Sequence, residues 1–186
     1  MPIYFVTSNK NKVREAEEIL GKKLKNVKLD IPEIQSLNVE EVIKEKAKKA
    51  YCKIKNPVLL EDTGFYIESL NNFPGALIKW MLGTLGNQGI CSILKDEKNR
   101  KVTVKTCFCL YNGRNFNIFT GSLKGTIPKT PKGETGFGWD PIFIPDGYEK
   151  SFAEMTSEEK NAISMRKIAL EKLRQFLIAK ARKRRR

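Results

Sequence analysis

Val102-Thr-Val-Lys-Thr-Cys-Phe-Cys-Leu-Tyr111, then Asn112-Gly113, then Phe116-Asn-Ile-Phe-Thr120, is the stretch that decides the fold. Its first segment alternates strongly, as a strand does when successive side chains point to opposite faces. Asn-Gly accepts the positive φ of a tight turn, so the two segments read as an antiparallel hairpin in the middle of the chain. Outward from it, the pattern changes. Ile3 to Val6 is a short apolar run ending at Thr7-Ser8-Asn9, with Val13, Ala16, Ile19 and Leu20 following at helical spacing. Val27 to Ile31 alternates as a strand up to Pro32, and Val39, Val42, Ile43, Ala47, Ala50 and Tyr51 mark an amphipathic helix. Val58-Leu59-Leu60 reads as a buried strand whose end delivers Glu61-Asp62-Thr63-Gly64. Leu77 to Leu82 and Ile90 to Leu94 predict short helices, and Lys124 to Gly138 a Gly/Pro/Lys-rich loop region. Thr156 with Glu159 forms a capping box that opens one long helix reaching Leu177. Strands and helices that alternate around an embedded hairpin predict an α/β fold with a mixed sheet.

The chain has 186 residues, 40% hydrophobic and 30% charged, enough for one globular unit with a real core over residues 1–179. No basic leader and no run of about 18 apolar residues is present, so a soluble, cytoplasmic protein is expected. Four cysteines, Cys52, Cys91, Cys107 and Cys109, form no CxxC pair, and histidine is absent. Zinc-ligand spacing and Ser-His-Asp or Cys-His catalysis are thereby excluded, leaving acid/base work to Asp, Glu, Lys or Tyr. Cys107 and Cys109 read as small buried apolar side chains on one strand face. Net charge is +14, and Lys180 to Arg186 hold six of those charges as a basic, mobile tail. The remaining excess suits a polyanionic ligand, either a nucleotide or a nucleic acid.

Three places carry the chemistry. In Thr7-Ser8-Asn9-Lys10-Asn11-Lys12 a strand end feeds a helix start, where backbone N–H groups and the helix dipole favour an anion. Thr7 and Asn9 add neutral donors and Lys12 a positive charge, although Ser8 or Asn9 capping the helix explains the same residues. Neither a P-loop nor a GxGxxG motif is present. Asp62, delivered by a buried strand, is the leading magnesium ligand, because carboxylates beside a triphosphate need an intervening cation. Glu33, just past Pro32, is the second candidate. Phe137-Gly138-Trp139-Asp140 supplies flat rings that can stack on a base and a polar group to read its edge. Lys160 and Ser164, one helical turn apart, can face the same ligand.

Together these motifs resemble the inosine/xanthosine triphosphate pyrophosphatases, which hydrolyse deaminated purine nucleotides. The resemblance rests on Phe5-Val6-Thr7-x-Asn9-x-x-Lys12, Pro32-Glu33, Glu61-Asp62-Thr63-Gly64, Phe73-Pro74-Gly75, Lys79-Trp80, Phe137-Gly138-Trp139-Asp140-Pro141 and Phe152 to Met155 through Glu159 to Arg166. It implies a two-lobed α/β fold, a central mixed sheet with helices around it, an active-site cleft between the lobes, and a homodimer. It also implies magnesium-dependent cleavage of ITP, dITP or XTP between the α and β phosphates. On this resemblance Thr7, Ser8, Asn9 and Lys12 hold phosphates, Glu33 and Asp62 serve the metal, and Thr63 contacts substrate. Asp62 is also the proton acceptor, while Phe137, Gly138, Trp139, Asp140, Lys160, Ser164 and Arg166 form the nucleoside side. Lys79 is a weaker phosphate candidate. The chain departs from the pattern at Ser164-Met165-Arg166, where the family usually has Ser-His-Arg. Methionine cannot donate to a 6-keto oxygen, so base preference is expected to differ. Two rivals are a nucleic-acid-binding protein using the basic tail and a Maf-like pyrophosphatase with another base preference.

Overall fold

The computed structural model describes residues 2–21 and 23–183. In chain order the elements are β1 (Tyr4–Val6), α1 (Lys10–Leu20), β2 (Lys25–Val27), α2 (Val39–Ile54), β3 (Val58–Ile67), β4 (Pro74–Gly75) and α3 (Ile78–Ile93), then β5 (Lys101–Tyr111), β6 (Phe116–Thr126), β7 (Ile144–Pro145), α4 (Ser157–Ile163) and α5 (Met165–Lys183). Seven strands form one open mixed sheet in the order β2-β1-β3-β5-β6-β7, with β4 added to β3. The β2-β1-β3 side is parallel; β3, β5, β6 and β7 run antiparallel. The expected hairpin is its spine: Tyr111 pairs with Phe116, and Gly113 in the turn has φ 90°.

Long β3, β5 and β6 pass through two lobes. At one end the sheet is covered on both faces. Val58, Leu60, Cys107 and Cys109 pack with Val39, Ile43, Ala47 and Ala50 of α2, as expected for the cysteine pair. Leu59, Phe108 and Phe119 pack with Ala16 of α1 and with Ala169, Leu170 and Leu173 of α5. At the other end Phe65, Ile67, Val102 and Val104 join Ile78, Ile90, Trp139, Phe143 and Phe152 in a second core. Between the two cores the strands turn polar, at Glu61, Asp62, Thr63 and Thr106. Apolar burial cannot continue through that belt, and the cleft forms there.

Several expected boundaries shift for reasons of partnership. The strand expected over Val27 to Ile31 is instead Lys25–Val27, because β1, its only ladder partner among the described residues, ends at Val6 opposite Val27. Leu29 and Ile31 still pack on the α2 core without strand pairing. β3 does not stop at Leu60 but continues to Ile67, since β5 pairs with it throughout. β1 covers its other edge only to Leu59, so the edge beside Glu61, Asp62, Thr63 and Gly64 has no strand neighbour among the described residues until β4 pairs at Phe65. The acids therefore reach the cleft from mid-strand, at the end of the parallel part.

The two short helices expected within 77–94 form, longer than read, as the two halves of α3, which is broken at Gly86 where the backbone leaves helical geometry (φ 64°, ψ 176°). The capping box forms as read: Thr156 Oγ1 accepts from Glu159 N at 3.2 Å while Thr156 N donates to Glu159 Oε2 at 2.8 Å. The helix it opens is not continuous. Ser164 is extended (φ −63°, ψ 150°) and separates α4 from α5, its Oγ accepting from Lys167 N at 3.1 Å. α5 then lies directly on β6 at Gly121, where any Cβ would collide with the Met165 carbonyl oxygen. The loop expected from Lys124 is shortened by β6, which runs to Thr126. The basic run is helical as far as Lys183; the rest of the expected tail, 184–186, lies outside the described residues. Among the described residues no helix is long and apolar enough to cross a membrane.

Candidate active site

Because side chains alternate along a strand, Glu61 and Asp62 leave β3 on opposite faces of the sheet. This divides the cleft into two chemical halves of about 510 Å³ in total, within the usual range for a small-molecule site.

On the α2 face, Asp62 Oδ2 lies 2.9 Å from Lys46 Nζ, and Glu33 Oε1 lies 2.8 Å from the same nitrogen. Asp62 Oδ1 accepts from Thr63 N at 2.9 Å, which fixes the carboxylate plane. Burial would lower the Lys46 pKa, but the charges of Asp62 and Glu33 outweigh it and hold the ammonium above its ordinary value. The two expected metal ligands thus converge on one point already favourable to a cation. Two carboxylates at the cleft wall, both held on one ammonium, suit magnesium, which takes one or two protein carboxylates and completes its shell with other oxygen ligands and water. Among the described residues no three Asp, Glu, Cys or His side chains gather to hold a metal by themselves.

On the α1/α5 face the acids are locked. Arg166 Nη2 reaches Glu61 Oε1 at 2.9 Å, Arg166 Nε donates to Glu61 Oε2 at 3.1 Å, and Lys12 Nζ stands 3.4 Å from Oε1. Burial pushes the Glu61 pKa up, yet Arg166 and Lys12 more than reverse it, to about 2. Glu15 of α1 bonds Arg166 Nη1 and accepts from Lys160 Nζ at 2.8 Å. Lys160 also donates to Asp140 Oδ2 at 2.7 Å, an oxygen that accepts from Phe137 N at 2.7 Å as well. Burial raises the Asp140 pKa despite Lys160 beside it. Three acids and three bases therefore form one network behind the Phe137 ring, with Lys160 and Arg166 4% and 2% exposed.

Phe137, half-buried, is the ring that faces this network: Lys160 Nζ and Arg166 Cζ lie 4.7 and 5.8 Å from its centroid. Trp139 lies at the cleft wall but packs inward, its ring 5.1 Å from that of Phe65 and 5.6 Å from that of Phe143. The expected aromatic pair is thus split, because Gly138 (φ 66°) turns the chain between the two rings. Asp140 is 3% exposed and spent on internal bonds, so it braces Lys160 and Phe137 instead of offering an open edge-reading group. Ser164 is fully buried as the cap of α5 and is not brought to the cleft wall. Thr7, Ser8, Asn9 and Lys12 are brought there together, with Thr7 Oγ1 accepting from Asn9 N at 3.1 Å. Asn9 is also the helix cap, its Oδ1 accepting from Asn11 N at 2.9 Å. Thr63 Oγ1 donates to Glu61 Oε1 at 3.2 Å, and exposed Lys79 stands on the opposite lobe's wall.

The Ham1 family model matches residues 3–176. The chain belongs to the Ham1 family. The dITP/XTP pyrophosphatase of Thermococcus kodakarensis is 43% identical over 95% of this chain and 97% of that protein. The inosine triphosphate pyrophosphatase of Yarrowia lipolytica is 42% identical, over 97% of this chain and 98% of its own length. A Ham1 protein structure from Coxiella burnetii superposes with a TM-score of 0.84 at 30% identity, covering 96% of this chain and all of that one. In this Ham1-family cleft two charged residues escaped sequence reading. Lys46 interrupts the apolar stripe of α2, one turn from Val42 and Ala50, and a lysine in such a stripe was the available signal. Glu15 looked like any acid three residues from a lysine on a helix; only the approach of α4 and α5 reveals its two cations.

Proposed function

We propose that this Ham1-family chain is a magnesium-dependent nucleoside triphosphate pyrophosphatase that converts deaminated purine nucleotides, ITP, dITP or XTP, to the monophosphate and pyrophosphate. It is a hydrolase acting on nucleoside triphosphates. The observation that carries the reading is the convergence of Asp62 and Glu33 beside Thr7 to Lys12, with a purine-sized wall at Phe137 across the same cleft. We place the activity in the cytoplasm, in keeping with four unbridged cysteines.

Phosphoryl chemistry of this kind needs charge neutralisation and alignment more than covalent help. The start of α1 with Thr7, Ser8, Asn9 and Lys12 holds the triphosphate, and Lys79 approaches from the other lobe. Lys46 leaves its carboxylate partners for phosphate oxygens as substrate arrives. Glu33 and Asp62 would hold magnesium, which when bound would supply charge neutralisation and lower the pKa of nearby water. Asp62 takes the proton from the water that attacks the α phosphorus; the α–β bridging bond breaks and its electrons leave with pyrophosphate. On the nucleoside side, Phe137 stacks on the base, while the Arg166 and Lys160 N–H groups not given to Glu61, Glu15 and Asp140 are the donors left at that wall for a 6-keto oxygen. Adenine presents an amino group there, leaving those donors unpaired.

A pyrophosphate-release panel over ITP, dITP, XTP, GTP and ATP with magnesium tests the assignment, and no release from any of them overturns it. Within that panel, Met165 matters. It is 2% exposed and adjoins Arg166 at the base wall, where a thioether makes no donor contact. Met165→His is expected to raise the ITP-over-ATP preference by roughly tenfold, the worth of one added hydrogen bond. An unchanged ratio sinks position 165 as a base reader.

The homodimer is proposed on an exposed apolar face of the α3 lobe. Phe73, Trp80, Leu85 and Ile93 are 43%, 70%, 39% and 50% exposed along a groove shared with Ile31 to Gln35. So much large apolar surface on one side of a 186-residue chain suits a second copy. Trp80→Glu is expected to halve the mass seen by light scattering; an unchanged mass, dimeric or monomeric, refutes this face. Nucleic-acid binding through the basic run is the weaker reading, since nothing in the cleft requires it.

A further inference from the structure

Resting on the nucleotide-cleaving reading above, we propose that Asn87 is a positioning residue that holds the Phe137 base platform from the second half of α3. Asn87 Nδ2 donates to the Gly138 carbonyl oxygen at 2.9 Å, a bond between segments 51 residues apart. It is placed to do so by the break in α3. Gly86, with φ 64° and ψ 176°, ends the first half of the helix and restarts the chain at Asn87. The first half carries Lys79 and Leu82 on the cleft wall; the second begins with the amide that grips the base loop.

The loop needs an outside hold. Phe137 N is fixed by Asp140 Oδ2 at 2.7 Å, and the Trp139 ring is anchored between Phe65 and Phe143. Gly138 between them is exposed and has positive φ, and a Cβ there would meet nothing within 4 Å, so no side chain packs at that position to hold the loop. The Asn87 bond supplies that restraint. Its orientation is set by the donor alone, because Asn87 Oδ1 is buried and has no partner. An amide that leaves its acceptor unpaired in order to present its donor is committed to one task. The peptide it holds sits beside the ring over which Lys160 and Arg166 are arranged. A loosened Gly138 lets that ring drift, weakening nucleoside binding while leaving the phosphate side untouched.

The test compares Asn87→Ala and the isosteric Asn87→Asp with the unaltered chain. The expected result is KM for ITP raised about fivefold with kcat within about twofold, the loss of one ordinary hydrogen bond from binding alone. Inhibition by inorganic tripolyphosphate, which has no base, stays unchanged. In a Trp80→Phe background, which leaves Trp139 as the sole tryptophan, acrylamide quenching of Trp139 rises in both variants. A general loosening would weaken tripolyphosphate inhibition in parallel, and that result overturns the proposal. So does an unchanged KM together with unchanged quenching. If the unaltered chain hydrolyses no nucleotide, the pyrophosphatase reading fails by itself, and the quenching comparison still decides whether Asn87 holds the loop.

Discussion

Asp62→Asn lowers pyrophosphate release from ITP by about a thousand-fold, the scale of a lost general base. The substitution is nearly isosteric, and its side-chain oxygen can keep the bond from Thr63 N that is 2.9 Å long in the native chain. What disappears is the charge. Without it no carboxylate accepts the water proton, and Glu33 is left alone to face Lys46 and the metal. Because Asp62 lies at the cleft and not in either core, unfolding midpoint and far-UV circular dichroism remain close to the native values. The decline falls on kcat, with KM for ITP changed much less, since Lys12 and the α1 start still bind phosphate. Steady-state kinetics at saturating magnesium decide it. A variant retaining more than a tenth of the native rate removes Asp62 as proton acceptor.

Arg166→Met is expected to destabilise the fold by about 3–5 kcal/mol, the typical penalty for stranding a buried charge. Here two acids at most 4% exposed, Glu61 and Glu15, lose their guanidinium and keep only Lys12 at 3.4 Å and Lys160 at 2.8 Å. For a chain of this size that lowers Tm by roughly ten degrees. Urea unfolding measures the loss, and a change below 1 kcal/mol would show that water or Lys12 compensates. The same network sets the acid limit of stability. The Glu61 pKa is about 2 in the fold against an ordinary 4.5, so its contribution is complete above pH 4.5. As pH falls from there toward about 2, the unfolded chain takes up a proton that the native one refuses, and stability declines. Glu61→Gln removes that part of the acid dependence, and an unaltered acid limb would mean that other carboxylates control it.

The family was legible before fold detail. Thr7 to Lys12, Glu33, Asp62, Phe137 and Arg166 do meet in one cleft, and the Asn112-Gly113 hairpin is the spine of the sheet. The misplaced strand boundaries had one cause, the absence of strand partners from a local pattern. Leu29 and Ile31 alternate well, but β1 has ended beside Val27; Glu61 to Gly64 look like a turn, but β5 carries β3 straight through them. The aromatic motif was misjudged for a related reason. Phe137 and Trp139 are equivalent in sequence, and the φ of 66° at Gly138 sends one toward the cleft and the other into the core.

By itself, the order of residue types determined the α/β class, the exclusion of histidine chemistry and the three segments, Thr7 to Lys12, Asp62 and Phe137, from which the nucleotide site is proposed. Those follow from periodicity and from side-chain chemistry, which are local. Only the tertiary structure decided that Glu61 is a buried counter-ion while neighbouring Asp62, the proposed proton acceptor, is half-buried beside Lys46. One residue of strand is enough for that, because alternation sends the first toward Arg166 and Lys12 and the second toward Lys46 and Glu33. Helices distant in sequence supply those partners, and it is the partners, not the carboxylates, that separate the two roles.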